Sequence, residues 1–211
     1  MTYLIYNLLL TLASPFYVAR VLWKNRGWKE RFGISIPAGE NKHIIWIHAV
    51  SVGEVIASKP LISLINKELP DYEIVLSTVT KTGKEMAKKL KEKPSHIFYF
   101  PFDFPFVVKR VLRKIRPSLI VLTETELWPN LLRYSERFSI PVVLTNGTIS
   151  SSSFTRYKKI RPLFKPILSK ILFFCVQTQE DKDRLVHLEV APEKIMVTGN
   201  TKFDLSFLDL D

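Results

Sequence analysis

The feature that most constrains the fold is a regular alternation of apolar, β-branched runs with helical patterns along most of the chain. The runs are hydrophobic throughout, not only at every second position, which is typical of strands covered by helices on both faces. Successive runs begin roughly 20–30 residues apart, the length of one strand-plus-helix unit. The pattern predicts an α/β fold built on a Rossmann-like, doubly wound parallel sheet.

Seven strands and six helices are predicted within this pattern. The strands are expected at 44–50, 73–79, 96–100, 118–123, 141–145, 171–177 and 194–198. The helices are expected at 55–68, 83–91, 105–115, 127–138, 154–169 and 179–188. With 211 residues, 46% hydrophobic and 24% charged, the chain can form one folded domain with an appendage.

The appendage is an apolar stretch that runs from Tyr3 to Trp23. As a helix it is long enough to cross a hydrocarbon core of ~30 Å, although Pro15 would kink it and Arg20 would have to snorkel. The stretch predicts a membrane-anchor helix over residues 1–26. Two alternatives stay open, a helix in the bilayer interface and a helix folded onto the domain.

The chain carries a formal net charge of +11. Four basic residues directly follow the apolar stretch: Lys24, Arg26, Lys29 and Arg31. By the positive-inside rule they would place the rest of the chain in the cytoplasm. The charge suits an anionic membrane surface, a phosphorylated ligand or a nucleic acid. A nucleic-acid site also needs exposed stacking aromatics, and the run FYFPFDFPF instead favours a strand and turn packed on a helix, so no nucleic-acid partner is expected. The alternative for these aromatics is a part in an acyl-chain surface.

Two glutamates follow predicted strands. Glu54 comes after the first strand and Glu124 after the fourth, so both are expected at the carboxyl edge of the sheet, where ligands bind in such folds. A carboxylate shielded by apolar walls has a raised pKa and can act as a general base. The alternatives are structural: Glu54 as a first-turn residue favoured by the helix dipole, and Glu124 as an N-terminal cap.

Three other residues lie in the same predicted loops. Gly53 is expected to let the backbone turn tightly, and the N–H groups of Ser51 and Gly53 are candidates to bind an anion. Ser51 is equally suited to be a helix cap. Lys81 follows the second strand and could meet a phosphate, or could simply be solvated. No GxGxxG follows the first strand, and no Walker, HExxH or paired CxxC motif occurs, so no dinucleotide or metal site is indicated.

Three motifs taken together, HAVSVGEV, ETELWPN and VTGNTKFD, resemble the Kdo transferases of bacterial lipid A biosynthesis, where Kdo is 3-deoxy-D-manno-oct-2-ulosonic acid. The stretches ERFG, STVTKTGKEMA, YFPFDFPFVVKR and QTQEDKDRL support this resemblance, which covers essentially the whole chain. These enzymes transfer Kdo from CMP-Kdo to the lipid A precursor. The resemblance implies the same donor, the same acceptor, no cofactor or metal, and a location at the cytoplasmic face of the inner membrane.

The family's fold is glycosyltransferase-B, in which two Rossmann-like domains face each other across a cleft. The resemblance implies that residues 27–198 form the N-terminal, acceptor-binding half. Residues 199–211 would begin the crossover to a donor domain that this sequence does not include. Such a domain could be supplied in trans. The alternative function is a non-catalytic module that binds anionic lipid at the membrane.

The resemblance also assigns roles to individual residues. Glu54 matches the family's general base for a substitution that inverts the anomeric carbon. Glu124 matches the first glutamate of the ETELWPN-type motif and is expected to contact the reaction centre or fix its geometry. Asn200, Lys202 and Phe203 match a segment that is expected near the cleft, where the first two would bind substrate.

Overall fold

The computed structural model describes residues 2–23, 27–38 and 43–202. Its strands are β1 (His43–His48), β2 (Tyr72–Thr78), β3 (His96–Tyr99), β4 (Leu119–Thr123), β5 (Val142–Gly147), β6 (Phe173–Val176) and β7 (Ile195–Val197). They form one sheet in the order β3-β2-β1-β4-β5-β6-β7, and every neighbouring pair is parallel. The predicted parallel α/β sheet is thereby confirmed.

The first five helices are α1 (Thr2–Trp23), α2 (Trp28–Arg31), α3 (Val52–Ala57), α4 (Lys59–Glu68) and α5 (Lys81–Lys88). The remaining ones are α6 (Pro105–Ile115), α7 (Pro129–Arg137), α8 (Ser151–Lys159), α9 (Arg161–Leu168) and α10 (Gln179–His187). A short 3-10 turn, Pro192–Lys194, precedes β7.

The centre of the sheet explains why its strands are apolar at every position. Ile44 and Trp46 of β1 pack in the core on one face, and Ile45 and Ile47 pack in the core on the other. Helices α6 and α7 contribute to the first core, whereas α4 and α5 contribute to the second. Burial on both faces removes the alternation that a half-exposed strand would show.

The strand order reverses between β1 and β4. Ile47 of β1 lies opposite Leu76 of β2 on one side and opposite Val121 of β4 on the other. Because the chain winds away from this point in both directions, the loops after β1 and β4 diverge and leave a crevice at the carboxyl edge. The loop after β1 leads into α3, whose first turn carries Glu54, and the loop after β4 carries Glu124.

Two predicted helices are each divided in two. The helix expected at 55–68 breaks at Ser58 into α3 and α4, and the helix expected at 154–169 breaks at Ile160 into α8 and α9. In both cases a proline, Pro60 or Pro162, stands in the first turn of the new helix. Proline lacks an N–H and fits a first turn, where that donor would have no helical partner.

Helix α1 packs against α7 and α9. In the described parts of the chain, no helix combines the length and the apolar character needed to cross a bilayer. The predicted anchor is therefore not confirmed as a spanning helix. Two of the polar side chains that lower its hydropathy bind the domain: Tyr6 donates to Asp103 Oδ2 at 2.9 Å, and Asn7 Oδ1 accepts from Asn130 Nδ2 at 2.7 Å. Lys24 and Arg26 lie outside the described residues.

Candidate active site

The loop after β1 holds Glu54 through reciprocal hydrogen bonds with Ser51. Ser51 caps α3: its Oγ accepts from the Glu54 N–H at 3.4 Å and donates to Glu54 Oε1 at 2.9 Å. The second carboxylate oxygen, Oε2, accepts from the N–H of Val50 at 2.8 Å. The capping role considered for Ser51 is thus observed, and Glu54 combines a capping role with a position at the sheet edge.

The environment of Glu54 favours its protonated form. The residue is 5% exposed, and this burial raises the pKa of its carboxyl group. The hydrogen bonds from Val50 and Ser51 oppose the shift, and the negative charge of Glu124 adds to it. A carboxyl group with a raised pKa can take up a proton closer to neutral pH than an ordinary glutamate can.

The loop after β4 holds Glu124 in an unusual backbone conformation. Its φ angle is +60°, in the left-handed region, while its N–H donates to the carbonyl oxygen of Thr145 at 2.8 Å. Thr125 Oγ1, the next residue, donates to the carbonyl oxygen of Thr148. Helix α7 begins only at Pro129, with Trp128 in the cap position. The alternative in which Glu124 caps this helix is therefore wrong, because residues 125–128 separate Glu124 from Pro129.

Glu126, two residues after Glu124 in the same loop, is a third carboxylate in this site. Burial and the charges of Glu54 and Glu124 raise its pKa to about 7. The spacing of Glu124 and Glu126 was the available signal. It could not decide the direction of either side chain, because an irregular loop has no fixed period.

Lys202 supplies a positive charge to this group. Its Nζ lies 3.1 Å from Glu124 Oε1. A methyl group placed on Gly53 would lie 3.8 Å from the same Nζ, so Lys202 also borders the start of α3. The structure therefore brings together Glu54, Glu124, Gly53 and Lys202, which the sequence placed in three separate motifs.

Hydrogen bonds hold the segment before Lys202 across the crevice. Thr201 Oγ1 donates to the carbonyl oxygen of Ala57 at 3.0 Å, and its N–H donates to Asn146 Oδ1 at 3.1 Å. Asn200 Oδ1 accepts from the N–H of Lys202 at 3.0 Å. Asn200 thus shapes the turn that presents Lys202. Phe203 lies outside the described residues.

The remaining predicted residues have different surroundings. Gly53 is the second residue of α3 and has no positive φ, so the expectation that it forms a tight turn is wrong; the strand-to-helix turn is complete before it. Lys81 begins α5 at the same sheet edge, but its side chain is 71% exposed and pairs with Glu85 at 3.6 Å. The structure does not gather Lys81 with the carboxylates.

A buried histidine connects the two carboxylate-bearing loops. Trp128 Nε1 donates to His48 Nε2 at 3.1 Å, and His48 Nδ1 lies 2.9 Å from Ser77 Oγ. Burial lowers the pKa of His48 to about 3, which keeps the ring neutral. Because Nε2 accepts, the ring proton resides on Nδ1. His48 of the motif HAVSVGEV and Trp128 of the motif ETELWPN thus contact each other next to the site.

The fold is similar to solved structures of UDP-N-acetylglucosamine 2-epimerases. The structure from Methanocaldococcus jannaschii matches 79% of this chain and 48% of its own, with a TM-score of 0.59 and 18% sequence identity. A putative epimerase from Listeria monocytogenes matches 77% of this chain and 46% of its own, with a TM-score of 0.60 and 14% identity. At these identities the likeness concerns the fold alone.

Similarity in sequence points to a different group of proteins. The chain is 37% identical to a bifunctional glycosyltransferase/methyltransferase of Fusobacterium nucleatum, over 95% of this chain and 32% of that protein. It is 35% identical to the 3-deoxy-D-manno-octulosonic acid transferase of Haemophilus influenzae, over 95% of this chain and 46% of that protein. A probable mitochondrial 3-deoxy-D-manno-octulosonic acid transferase of Arabidopsis thaliana is 32% identical, over 95% of this chain and 47% of that protein. The chain spans about half the length, or less, of these curated relatives.

The family model for 3-deoxy-D-manno-octulosonic-acid transferases (kdotransferases) matches residues 26–205. This range includes the whole sheet and each of the three motifs that meet at its carboxyl edge. The chain therefore belongs to the Kdo transferase family.

Proposed function

We propose that this chain is the acceptor-binding half of an inverting glycosyltransferase that transfers Kdo from CMP-Kdo to the lipid A precursor. The observation that carries the proposal is the buried Glu54, whose pKa is raised, at the point where the strand order reverses. Ligands bind at that point in open parallel sheets. Membership of the Kdo transferase family supplies the substrate class.

In the proposed reaction, Glu54 takes the proton from the acceptor hydroxyl while the hydroxyl oxygen attacks the anomeric carbon of Kdo. CMP leaves from the opposite face, so the configuration inverts in one step. A positioned general base contributes about 10²–10⁴ in rate. The hydrogen bonds from Ser51 and Val50 fix the carboxylate, and the raised pKa makes it a stronger base. This chemistry needs no cofactor and no metal.

The other residues of the site are assigned supporting roles in this proposal. Glu124 and Glu126 place negative charge beside Glu54, and Lys202 balances part of it through its contact with Glu124. Ser51, Gly53, Lys81, Asn200 and Lys202 are proposed to bind substrate. Most of the CMP-Kdo site would come from a second Rossmann-like domain, as in a glycosyltransferase-B fold, in the same polypeptide or in trans.

A position on the cytoplasmic face of the inner membrane is part of the same proposal. Helix α1 leaves the side chains of Leu4, Leu8, Leu12 and Phe16 exposed on one face. A net charge of +11 favours an anionic leaflet, where each basic residue near the surface contributes about 1 kcal/mol. This arrangement supports a helix that lies in the interface while the domain faces the cytoplasm.

A second candidate is a module that binds anionic lipid without catalysing transfer. One observation favours it: both carboxylate oxygens of Glu54 already accept hydrogen bonds that stabilise the loop and the start of α3. If that were the whole role of Glu54, its removal would lower stability and leave lipid binding intact.

The test is Kdo transfer from CMP-Kdo to a tetraacylated lipid A precursor, measured for the chain alone and with a donor domain of the family added. We expect Glu54→Gln to lower the rate about 10²–10⁴-fold at unchanged acceptor binding. Glu68→Gln, on the exposed end of α4, is the matched control and should retain full activity. Equal rates for Glu54→Gln and the wild type would refute the base. Lipid binding without transfer under either condition would favour the non-catalytic module.

A further inference from the structure

An apolar cavity of about 230 Å³ lies between α1 and the chain that follows β3. Leu10 and Ala13 of α1 line one side of it, and Phe102, Phe104 and Trp128 line the other. A dry, apolar cavity of about 150 Å³ is enough to bind benzene in an engineered protein. The space under α1 is therefore large enough for part of a hydrocarbon chain.

The polar groups at the edge of the cavity are already occupied. The guanidinium of Arg31 donates to the carbonyl oxygen of Val79 at 2.6 Å, and Ser14 Oγ donates to the carbonyl oxygen of Thr11 at 2.9 Å. The Asp103 carboxylate accepts from Tyr6 and from two N–H groups at the start of α7. A polar ligand would lose its hydration and gain few hydrogen bonds here. The lining thus selects an apolar ligand.

One end of the cavity adjoins a basic groove. Phe104 stacks on Phe106, with ring centroids 5.8 Å apart and an interplanar angle of 11°. Phe106 in turn lines an open groove together with four basic residues of α6: Lys109, Arg110, Arg113 and Lys114. A ligand whose hydrocarbon chain fills the cavity would place an acidic group near this groove. The two features together fit an anionic amphiphile.

The part of the cavity that Trp128 lines adjoins the candidate active site. Trp128, which lines the cavity, ends the loop that carries Glu124 and Glu126, and its indole contacts His48. An amphiphile in the cavity therefore lies beside the loop that holds two of the three carboxylates. This position favours a substrate over a lipid that only surrounds the protein.

We propose that the cavity under α1 receives one hydrocarbon chain of the lipid acceptor, whose acidic group faces the basic groove of α6. This assignment rests on the proposed function and adds to it a binding site for the apolar part of the acceptor. Helix α1 then serves as one wall of a substrate site. Its exposed leucines lie on another face of the same helix, so the site and the membrane-facing surface are adjacent.

The probe is a series of alkyl phosphates, from hexyl to decyl, titrated calorimetrically into the 211-residue chain below their micelle concentrations. We expect affinity to rise roughly fourfold per methylene until the cavity is full. Ala13→Phe should weaken decyl phosphate binding at least tenfold, because the new ring occupies the cavity. Ala19→Phe is the matched control, because Ala19 is exposed like Ala13 but does not line the cavity, and it should bind within twofold of the wild type.

Three results would overturn the assignment. These are equal affinities for Ala13→Phe and Ala19→Phe, decyl phosphate binding no tighter than inorganic phosphate, and an unchanged KM for the lipid acceptor when Ala13→Phe is assayed with a donor domain. If Ala13→Phe fails to fold, Leu10→Phe fills the same cavity from α1. If the wild type binds decyl phosphate and Ala13→Phe does not, but no Kdo transfer is detected, the cavity assignment stands and the proposed function is refuted. The two failures are therefore distinguishable.

Discussion

At the residue scale, the dominant feature is the crowding of negative charge at the carboxyl edge of the sheet. Glu124 raises the pKa of Glu54, and Glu54 and Glu124 both raise the pKa of Glu126. Within the described residues, Lys202 is the cation that contacts one of the three directly. Like charges at close range cannot all ionise at little cost. The site therefore holds a proton near neutral pH, which suits a group that has to exchange one.

The pH dependence of stability follows from Glu126. Its pKa is raised from 4.5 to about 7, so the folded protein holds the proton more tightly than the unfolded chain does. The contribution of Glu126 to the free energy of unfolding is fully present below pH 4.5, and it is lost as the pH rises from 4.5 to about 7. Glu126→Gln should therefore gain stability relative to the wild type over this range. We expect about 1–2 kcal/mol by pH 8, after allowance for partial exposure.

Urea denaturation at pH 5 and at pH 8 measures this difference. Glu126→Asp keeps an ionisable group in the loop and serves as the control, which should follow the wild-type pH dependence more closely than Glu126→Gln does. A constant gap between Glu126→Gln and the wild type at both pH values would contradict the electrostatic account.

The sequence pattern predicts the positions of Glu54 and Glu124 in the site but not those of Glu126 and Lys202, for a physical reason. Glu54 and Glu124 directly follow apolar runs, and the end of a parallel strand has a defined place in the fold. Glu126 lies two residues farther along an irregular loop, where no period fixes its direction. Lys202 reaches Glu124 across 78 residues of chain, so only the resemblance to a family placed it near the site.

At the element scale, the sequence pattern predicts the strands but not the breaks between α3 and α4 and between α8 and α9. Apolar runs buried on both faces are a strong signal, whereas Pro60 and Pro162 were read as internal to longer helices. Helix α1 docks on the domain through Tyr6 and Asn7. Their hydrogen-bond partners, Asp103 and Asn130, come from distant parts of the sequence. Hydropathy alone does not reveal that a helix docks through such contacts.

Gly27, the residue that precedes α2, offers a test of local packing. Gly27 has a φ of +61°, and a Cβ atom there would overlap the ring of Tyr99. Gly199 has a φ of +82° with no atoms within 4 Å of an added Cβ. Gly27→Ala should cost about 2–4 kcal/mol, from backbone strain plus overpacking, and Gly199→Ala about 1–2 kcal/mol from strain alone.

Chemical denaturation of the two alanine variants compares these costs directly. Both glycines are in left-handed conformations, so the backbone strain is similar in the two variants. The difference between their losses of stability therefore reports the overlap with Tyr99. A smaller loss for Gly27→Ala than for Gly199→Ala would show that the Tyr99 ring moves aside at little cost.

At the scale of the whole molecule, charge and the exposed face of α1 act together on membrane binding. The protein should bind vesicles that contain anionic phospholipid and bind purely zwitterionic vesicles far more weakly. Raising NaCl from 0.05 to 0.5 M should weaken binding to anionic vesicles at least tenfold, because salt screens the net charge of +11. Vesicle sedimentation measures both effects.

Leu8→Asp, on the exposed face of α1, separates the two contributions in the same assay. It should reduce binding at every salt concentration, because it places a charge in the apolar face that enters the interface. Binding that is indifferent to both salt and this substitution would contradict an interfacial role for α1.

The backbone at Glu124 has a consequence for how this protein tolerates change. A side chain in the left-handed region costs about 1–2 kcal/mol that glycine would avoid, and the loop keeps a glutamate there. Glycine at this position would relax the loop and also remove a repelling charge. At Glu124, as at Glu126, the fold is thus held short of its best attainable stability. A search for sturdier variants would replace Glu124 early, and would lose the site in doing so.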